Sequence, residues 1–177
     1  KVKFELEKAV YLAETGRPGP VWIEIPMDVQ GAQIIPDDLE SYTPPTSENL
    51  FDDDKFAVLI DLLNKSKRPV IIAGHGAIFS NAYDEIRELA EKAQIPVITT
   101  LLGISSFPED HVLSVGMPGM HGMAYASLAI EEADLLIALG MRFDDRITGK
   151  PSAFSVNSKK VHVDIDPSEI GKNISVD

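Results

Sequence analysis

A chain of 177 residues is long enough for one substantial core, and the lack of any cysteine removes disulfides and thiolate metal sites from consideration. Sixteen Lys and Arg against 28 Asp and Glu leave a formal net charge of -12, which repels nucleic-acid phosphates and anionic membranes. No apolar run reaches the roughly 18 residues that cross a bilayer, and Lys1-Val2-Lys3 opens an amphipathic stretch rather than a leader, so a reducing compartment is expected: cytoplasm, or an organellar stroma or matrix.

Phe4, Ala9, Val10 and Leu12 recur at a helical period among charged residues, and Gly16-Arg17-Pro18-Gly19 ends the pattern. Val21-Trp22-Ile23-Glu24-Ile25 reads as a strand closed by Pro26, with Trp22 buried between strand and helix. Beyond Asp28 the periodicity lapses among prolines 36, 44 and 45. Residues 1–29 are therefore expected to end a preceding domain, 30–50 to be a linker, and 51–177 to form a central domain that continues past Asp177. With Lys in first place, the chain reads as an excerpt of a larger protein or as a processed form.

From Phe51 the acidic start Asp52-Asp53-Asp54 precedes a helix whose apolar face is Phe56, Leu59, Ile60 and Leu63. The order that follows is a strand over 70–73, a Gly turn, a helix over 82–93, a strand over 96–100, a long loop, a helix over 124–133, and strands over 135–139 and 161–165. Pro167-Ser168-Glu169-Ile170 is read as opening a further helix. Unbroken apolar runs such as Val70-Ile71-Ile72 and Leu135-Leu136-Ile137 suit strands buried on both faces. The fold class is thus α/β: a doubly wound, mostly parallel, Rossmann-like sheet with helices on both faces.

Ligands of such sheets bind beyond the carboxyl ends of the strands. There the chain carries Gly74-His75-Gly76, Thr99-Thr100, the stretch from Gly140 to Arg146, and Asp164-Ile165-Asp166. Glycines admit close backbone approach, hydroxyls and helix N–H groups accept phosphate oxygens, guanidinium groups supply charge, and carboxylates hold ribose edges, so an extended nucleotide is the expected ligand. Phe79 stands in place of the third glycine of the dinucleotide fingerprint, and Thr99-Thr100 in place of its acid, which disfavours an NAD dehydrogenase. Four scattered histidines give no zinc spacing. Met117, Met120 and Met123, interleaved with Gly116, Gly119 and Gly122, read as a loop that presents soft side chains to a flat ligand.

The motifs Gly16-Arg17-Pro18-Gly19-Pro20-Val21, Gly119-Met120-His121-Gly122, Arg142-Phe143-Asp144-Asp145-Arg146-Ile147-Thr148-Gly149 and Val163-Asp164-Ile165-Asp166 resemble, in order and spacing, those of acetolactate synthase large subunits. That family uses thiamine diphosphate, and the Arg-Phe-Asp-Asp-Arg motif resembles the FAD-containing biosynthetic type. The resemblance implies loss of CO2 from pyruvate and condensation with pyruvate or 2-oxobutanoate, in branched-chain amino-acid synthesis. The flavin undergoes no net redox change in that family.

The resemblance also implies a set of flavin contacts: Arg17 ahead of the sheet, Gly74, His75 and Gly76 after the first strand, and Thr100 and Leu101 after the second. Gly119, Met120 and His121 would follow in the loop, with Gly140, Arg142 and Asp144 after the third strand and Asp164 and Ile165 at the last strand. Arg146 would hold the second substrate's carboxylate, as a guanidinium fork suits. No metal ligand is implied here: thiamine diphosphate and Mg2+ would bind outside this stretch, which alone would lack carboligase activity. A homodimer or homotetramer with a small regulatory subunit is implied, and no nucleic-acid or membrane partner. The alternative reading is a scaffold and subunit-contact domain, binding no nucleotide, of a different thiamine-diphosphate carboligase or decarboxylase.

Overall fold

The computed structural model describes residues 1–46 and 52–177, so the last residues of the expected linker and the expected domain start at Phe51 lie outside the described residues. The chain divides into two compact units, Lys1–Leu50 and Phe51–Asp177.

In the first unit, helix α1 (Val2–Glu14) ends before Gly16, whose φ of +62° suits glycine. A one-turn helix, α2 (Met27–Gln30), follows Pro26. The Tyr42 N–H donates to Glu7 Oε2 at 2.7 Å, and the Tyr42 ring meets those of Phe4 and Tyr11 at 5.3 and 5.5 Å. The strand expected at residues 21–25 does not form, and Trp22 is 90% exposed rather than buried. An isolated extended segment needs a ladder partner for its N–H and C=O groups, and the described residues of this unit supply none.

In the second unit, α3 (Asp53–Lys65) is capped by Asp52, whose Oδ1 accepts from the N–H groups of Asp54 and Lys55, both at 3.1 Å. Its packed side is Leu59, Leu62 and Leu63; Phe56 and Ile60, expected on that face, are exposed. Strand β1 (Pro69–Ala73) leads into α4 (His75–Phe79), a short helix where a plain turn was expected, and then α5 (Tyr83–Ala93) and β2 (Val97–Thr99). Strand β3 (Ser114–Gly116) lies within the expected long loop, and α6 (Ala124–Glu132), β4 (Leu135–Leu139), α7 (Asp145–Thr148) and β5 (Lys159–Val163) complete the order. Residues 167–170 form turns rather than a helix.

All five strands are parallel, in the order β3-β2-β1-β4-β5. Alternate residues of the inner strands β1, β2 and β4 enter different cores: Val70 and Ile72 pack with Ala126 and Ile130 of α6, whereas Ile71 and Ala73 pack with Ile86 and Ala90 of α5. Helices on opposite faces follow from this, and the chain reverses its winding between β1 and β4.

One stabilising change is legible in the joint between α5 and β2. Gln94 closes α5 in the left-handed conformation at φ 54°, ψ 46°. Gln94→Gly is expected to raise unfolding free energy by about 0.5–1 kcal/mol, read as a higher urea midpoint. A lower midpoint would mean that the bond from Gln94 Nε2 to Glu91 O, 2.7 Å long, outweighs the backbone strain.

Candidate functional site

The carboxyl edge of the sheet is a row of loops joined by main-chain hydrogen bonds. The Thr100 N–H donates to Ala73 O at 2.9 Å, the Gly74 N–H to Leu139 O at 2.9 Å, the Gly76 N–H to Gly140 O at 2.8 Å, and the Gly140 N–H to Val163 O at 2.8 Å. Thr100 and Leu101, then Gly74 to Gly76, then Gly140 to Arg142, then Asp164 and Ile165 therefore stand side by side in strand order. His75 Nδ1–H donates to Leu102 O at 2.7 Å and its ring meets Phe79 edge-on at 4.4 Å, so this histidine braces two loops.

The glycines of this edge are required by the contact between the loops themselves. A Cβ on Gly74 would lie 2.4 Å from Gly140 O, and one on Gly76 would lie 2.6 Å from Gly140 Cα. The space their missing side chains leave is filled by the opposite loop, and their N–H groups are committed to protein carbonyls. They permit two strand-end loops to touch at the winding reversal.

The loop from Met117 to Met123 joins the same edge through Gly119 and Met120. A Cβ on Gly119, at φ +96°, would lie 2.3 Å from Arg146 O, and the Met120 N–H donates to that oxygen at 3.1 Å. Met120, His121 and Met123 are exposed there. Between Gly140 and Asp144 buried and outward residues alternate: Met141 and Phe143 are buried, while Arg142 is exposed and Asp144 half-buried. Asp144 caps α7 by accepting from the Arg146 N–H at 3.0 Å. Arg142 Nε lies 3.9 Å from Asp144 Oδ2, and Arg146 reaches only 3.8 Å from Asp145 Oδ2, so both guanidinium groups are loosely paired and open to solvent.

At the last strand Asp164 is largely buried, with Oδ1 accepting from the Asp166 N–H at 2.9 Å, and Ile165 is exposed. Beside it stands His162, which the sequence reading did not single out: fully buried, it donates from Nε2 to Met141 O at 2.7 Å and stacks edge-on against Phe143 at 5.2 Å. Asn173 Nδ2–H likewise donates to Phe143 O at 2.8 Å. The only sequence signal for His162 is a polar residue alternating with valines in a strand. Arg17 belongs to the other unit. Among the described residues, His, Asp and Glu nowhere gather as a metal ligand set would, and no helix is long and apolar enough to cross a membrane. A shallow hollow of about 380 Å³, lined by Tyr83, Arg87, Ser106 and Phe107 among others, contains none of the expected flavin contacts.

Comparison with known proteins adds a second line. The sequence profile described as thiamine pyrophosphate enzyme, central domain, matches residues 56–177. A probable acetolactate synthase large subunit of Methanocaldococcus jannaschii is 49% identical, covering 96% of this chain and 29% of that protein. The acetolactate synthase large subunit of Corynebacterium glutamicum is 45% identical over 94% of this chain and 27% of its own length. Acetolactate synthase 1, chloroplastic, of Zea mays is 46% identical over 95% and 27%. The chain thus spans less than a third of the length of these curated relatives.

Proposed function

Because the chain belongs to the thiamine pyrophosphate enzyme central-domain family, we propose that it is the flavin-holding segment of an acetolactate synthase catalytic chain. The longer protein would condense two 2-oxo acids with loss of CO2, using thiamine diphosphate and Mg2+ held outside this segment, as a homo-oligomer with a small regulatory subunit. The observation that carries the flavin reading is the bonded row of loops along one sheet edge, which gives Leu101, Met120 and Arg142 a common rim.

The residue types there suit FAD. Leu101 and Met120, 67% and 66% exposed, offer apolar contact to a flat ring system. The Arg142 guanidinium, 58% exposed, is available to a diphosphate, and the half-buried Asp144 and largely buried Asp164 suit hydroxyl groups. Arg146 is proposed to hold the second substrate's carboxylate. FAD would contribute no net redox change in this reaction; the chain's own residues would bind it, orient it and shield it.

Titrating the 177-residue chain with FAD tests this. Quenched flavin fluorescence and a red-shifted absorption band are expected, and Arg142→Ala should weaken binding by about 1.5–3 kcal/mol, roughly ten- to a hundredfold. Arg146→Ala should leave FAD affinity unchanged; an equal loss from both would overturn the division of labour. The scaffold reading draws on a different observation, that the Gly74 and Gly76 N–H groups are already committed to Leu139 O and Gly140 O. It predicts no spectral change at high micromolar FAD.

A further inference from the structure

We infer that His162 is a positioning residue for the charged rim: the Nε2–H bond it gives to Met141 O fixes how Arg142 and Asp144 are presented. The consequence for cofactor binding rests on the flavin reading above; the positioning itself does not.

Buried and outward residues alternate from Met141 to Asp144, and among the described residues this segment lies beyond the last β4–β5 pair, Leu139 with Val163. Its register is set instead by side chains. His162 binds the carbonyl of Met141 at 2.7 Å, and Asn173 binds the carbonyl of Phe143, two residues on, at 2.8 Å. The two donors hold the carbonyls on either side of Arg142, and the Asp144 N–H closes a tight turn onto Arg142 O at 3.0 Å. Met141 and Phe143 are thereby drawn into the core, and Arg142 and Asp144 are turned outward. Asp144 in turn caps α7, which carries Arg146, and Arg146 O receives the Met120 N–H. One buried donor thus sits at the root of the chain of contacts that orders the rim.

The histidine accepts an unusual condition to do this. Nε2 donates to a carbonyl, while the other ring nitrogen, Nδ1, is buried with no hydrogen-bond partner. A side chain chosen for packing alone would avoid an orphaned polar atom beside Phe143. Its retention is accounted for by the bond on the other ring nitrogen.

Two amide variants of the 177-residue chain separate reach from packing. In His162→Gln the amide nitrogen takes the place of Nε2 and can still reach Met141 O. In His162→Asn it takes the place of Nδ1 and falls short. The expected result is hydrogen exchange of the Asp144, Ile147 and Thr148 amides about tenfold faster in His162→Asn and near wild type in His162→Gln, with α5 and β1 amides unchanged in both. FAD affinity should follow the same order. Equal acceleration in both variants, or acceleration spread over the whole sheet, would overturn the inference and leave His162 a packing residue. If wild type binds no FAD, the flavin reading fails, and the exchange comparison still decides the role of His162.

Discussion

Gly140→Ala is expected to lower the unfolding free energy by about 3 kcal/mol, through two costs that a second variant separates. At φ +57°, a Cβ on Gly140 would lie 2.6 Å from Gly76 Cα and 2.8 Å from Ala77 N. These are backbone atoms, so no rotamer change relieves the clash. Nor can the loops part freely, because β1 and β4 are paired through Ala73 and Leu139 directly below. The left-handed backbone alone costs about 1–2 kcal/mol for a residue with a Cβ. Gly171→Ala isolates that cost, since Gly171 has φ +71° and open space where its Cβ would be. Urea unfolding should show the larger loss at Gly140. Matching losses would mean that the contact between the two strand-end loops contributes nothing.

The same pair of loops shows what the sequence could and could not reveal. That Gly74, Thr100, Gly140 and Asp164 share an edge is legible, because unbroken apolar runs imply parallel buried strands and parallel strands align their carboxyl ends. That the glycines face one another is not legible, because it depends on which two strands sit either side of the winding reversal. The inner strands were read within about a residue of their observed limits. Edge strands were harder: β3 has three half-buried residues and no apolar run, so nothing distinguishes it from loop.

β5 reverses the usual alternation. Lys160 and His162 point into the core while Val163 is exposed. Lys160 is tolerated because its Nζ donates to Ser155 O and Ser158 O at 2.8 and 2.9 Å, although burial pushes its ammonium pKa down against the pull of Asp177 and Glu131. His162 is tolerated because of Met141 O. In both cases polar residues are buried for their hydrogen bonds to loops, and a hydrophobic pattern carries no trace of such bonds when the partner lies about 20 residues away, as Met141 does. The β5 limits were accordingly read two residues late, since the apolar alternation of Val161, Val163 and Ile165 extends past the point where pairing stops.

At the opposite edge of the sheet, Asp134→Ala is expected to cost about 2–4 kcal/mol, because this carboxylate joins two turns. Its Oδ1 accepts from Ser66 Oγ and, at 2.9 Å, from the Arg68 N–H; its Oδ2 accepts from the Lys67 N–H at 2.8 Å. The turn from α3 into β1 is thereby fastened to the turn from α6 into β4. Burial pushes the Asp134 carboxyl pKa up, but the bonds from Ser66, Lys67 and Arg68 together with the Arg68 charge outweigh it and hold the group below its ordinary 3.8. A carboxyl with a depressed folded pKa contributes stability that is fully present above the unfolded value and is lost as pH falls through the folded one. Against Asp134→Asn, which keeps one acceptor oxygen and cannot titrate, the wild-type advantage should be level from about pH 5 to 7 and shrink below about 3.8. An advantage that persisted unchanged into strong acid would show that the shape of the side chain, and not its charge, fastens the two turns.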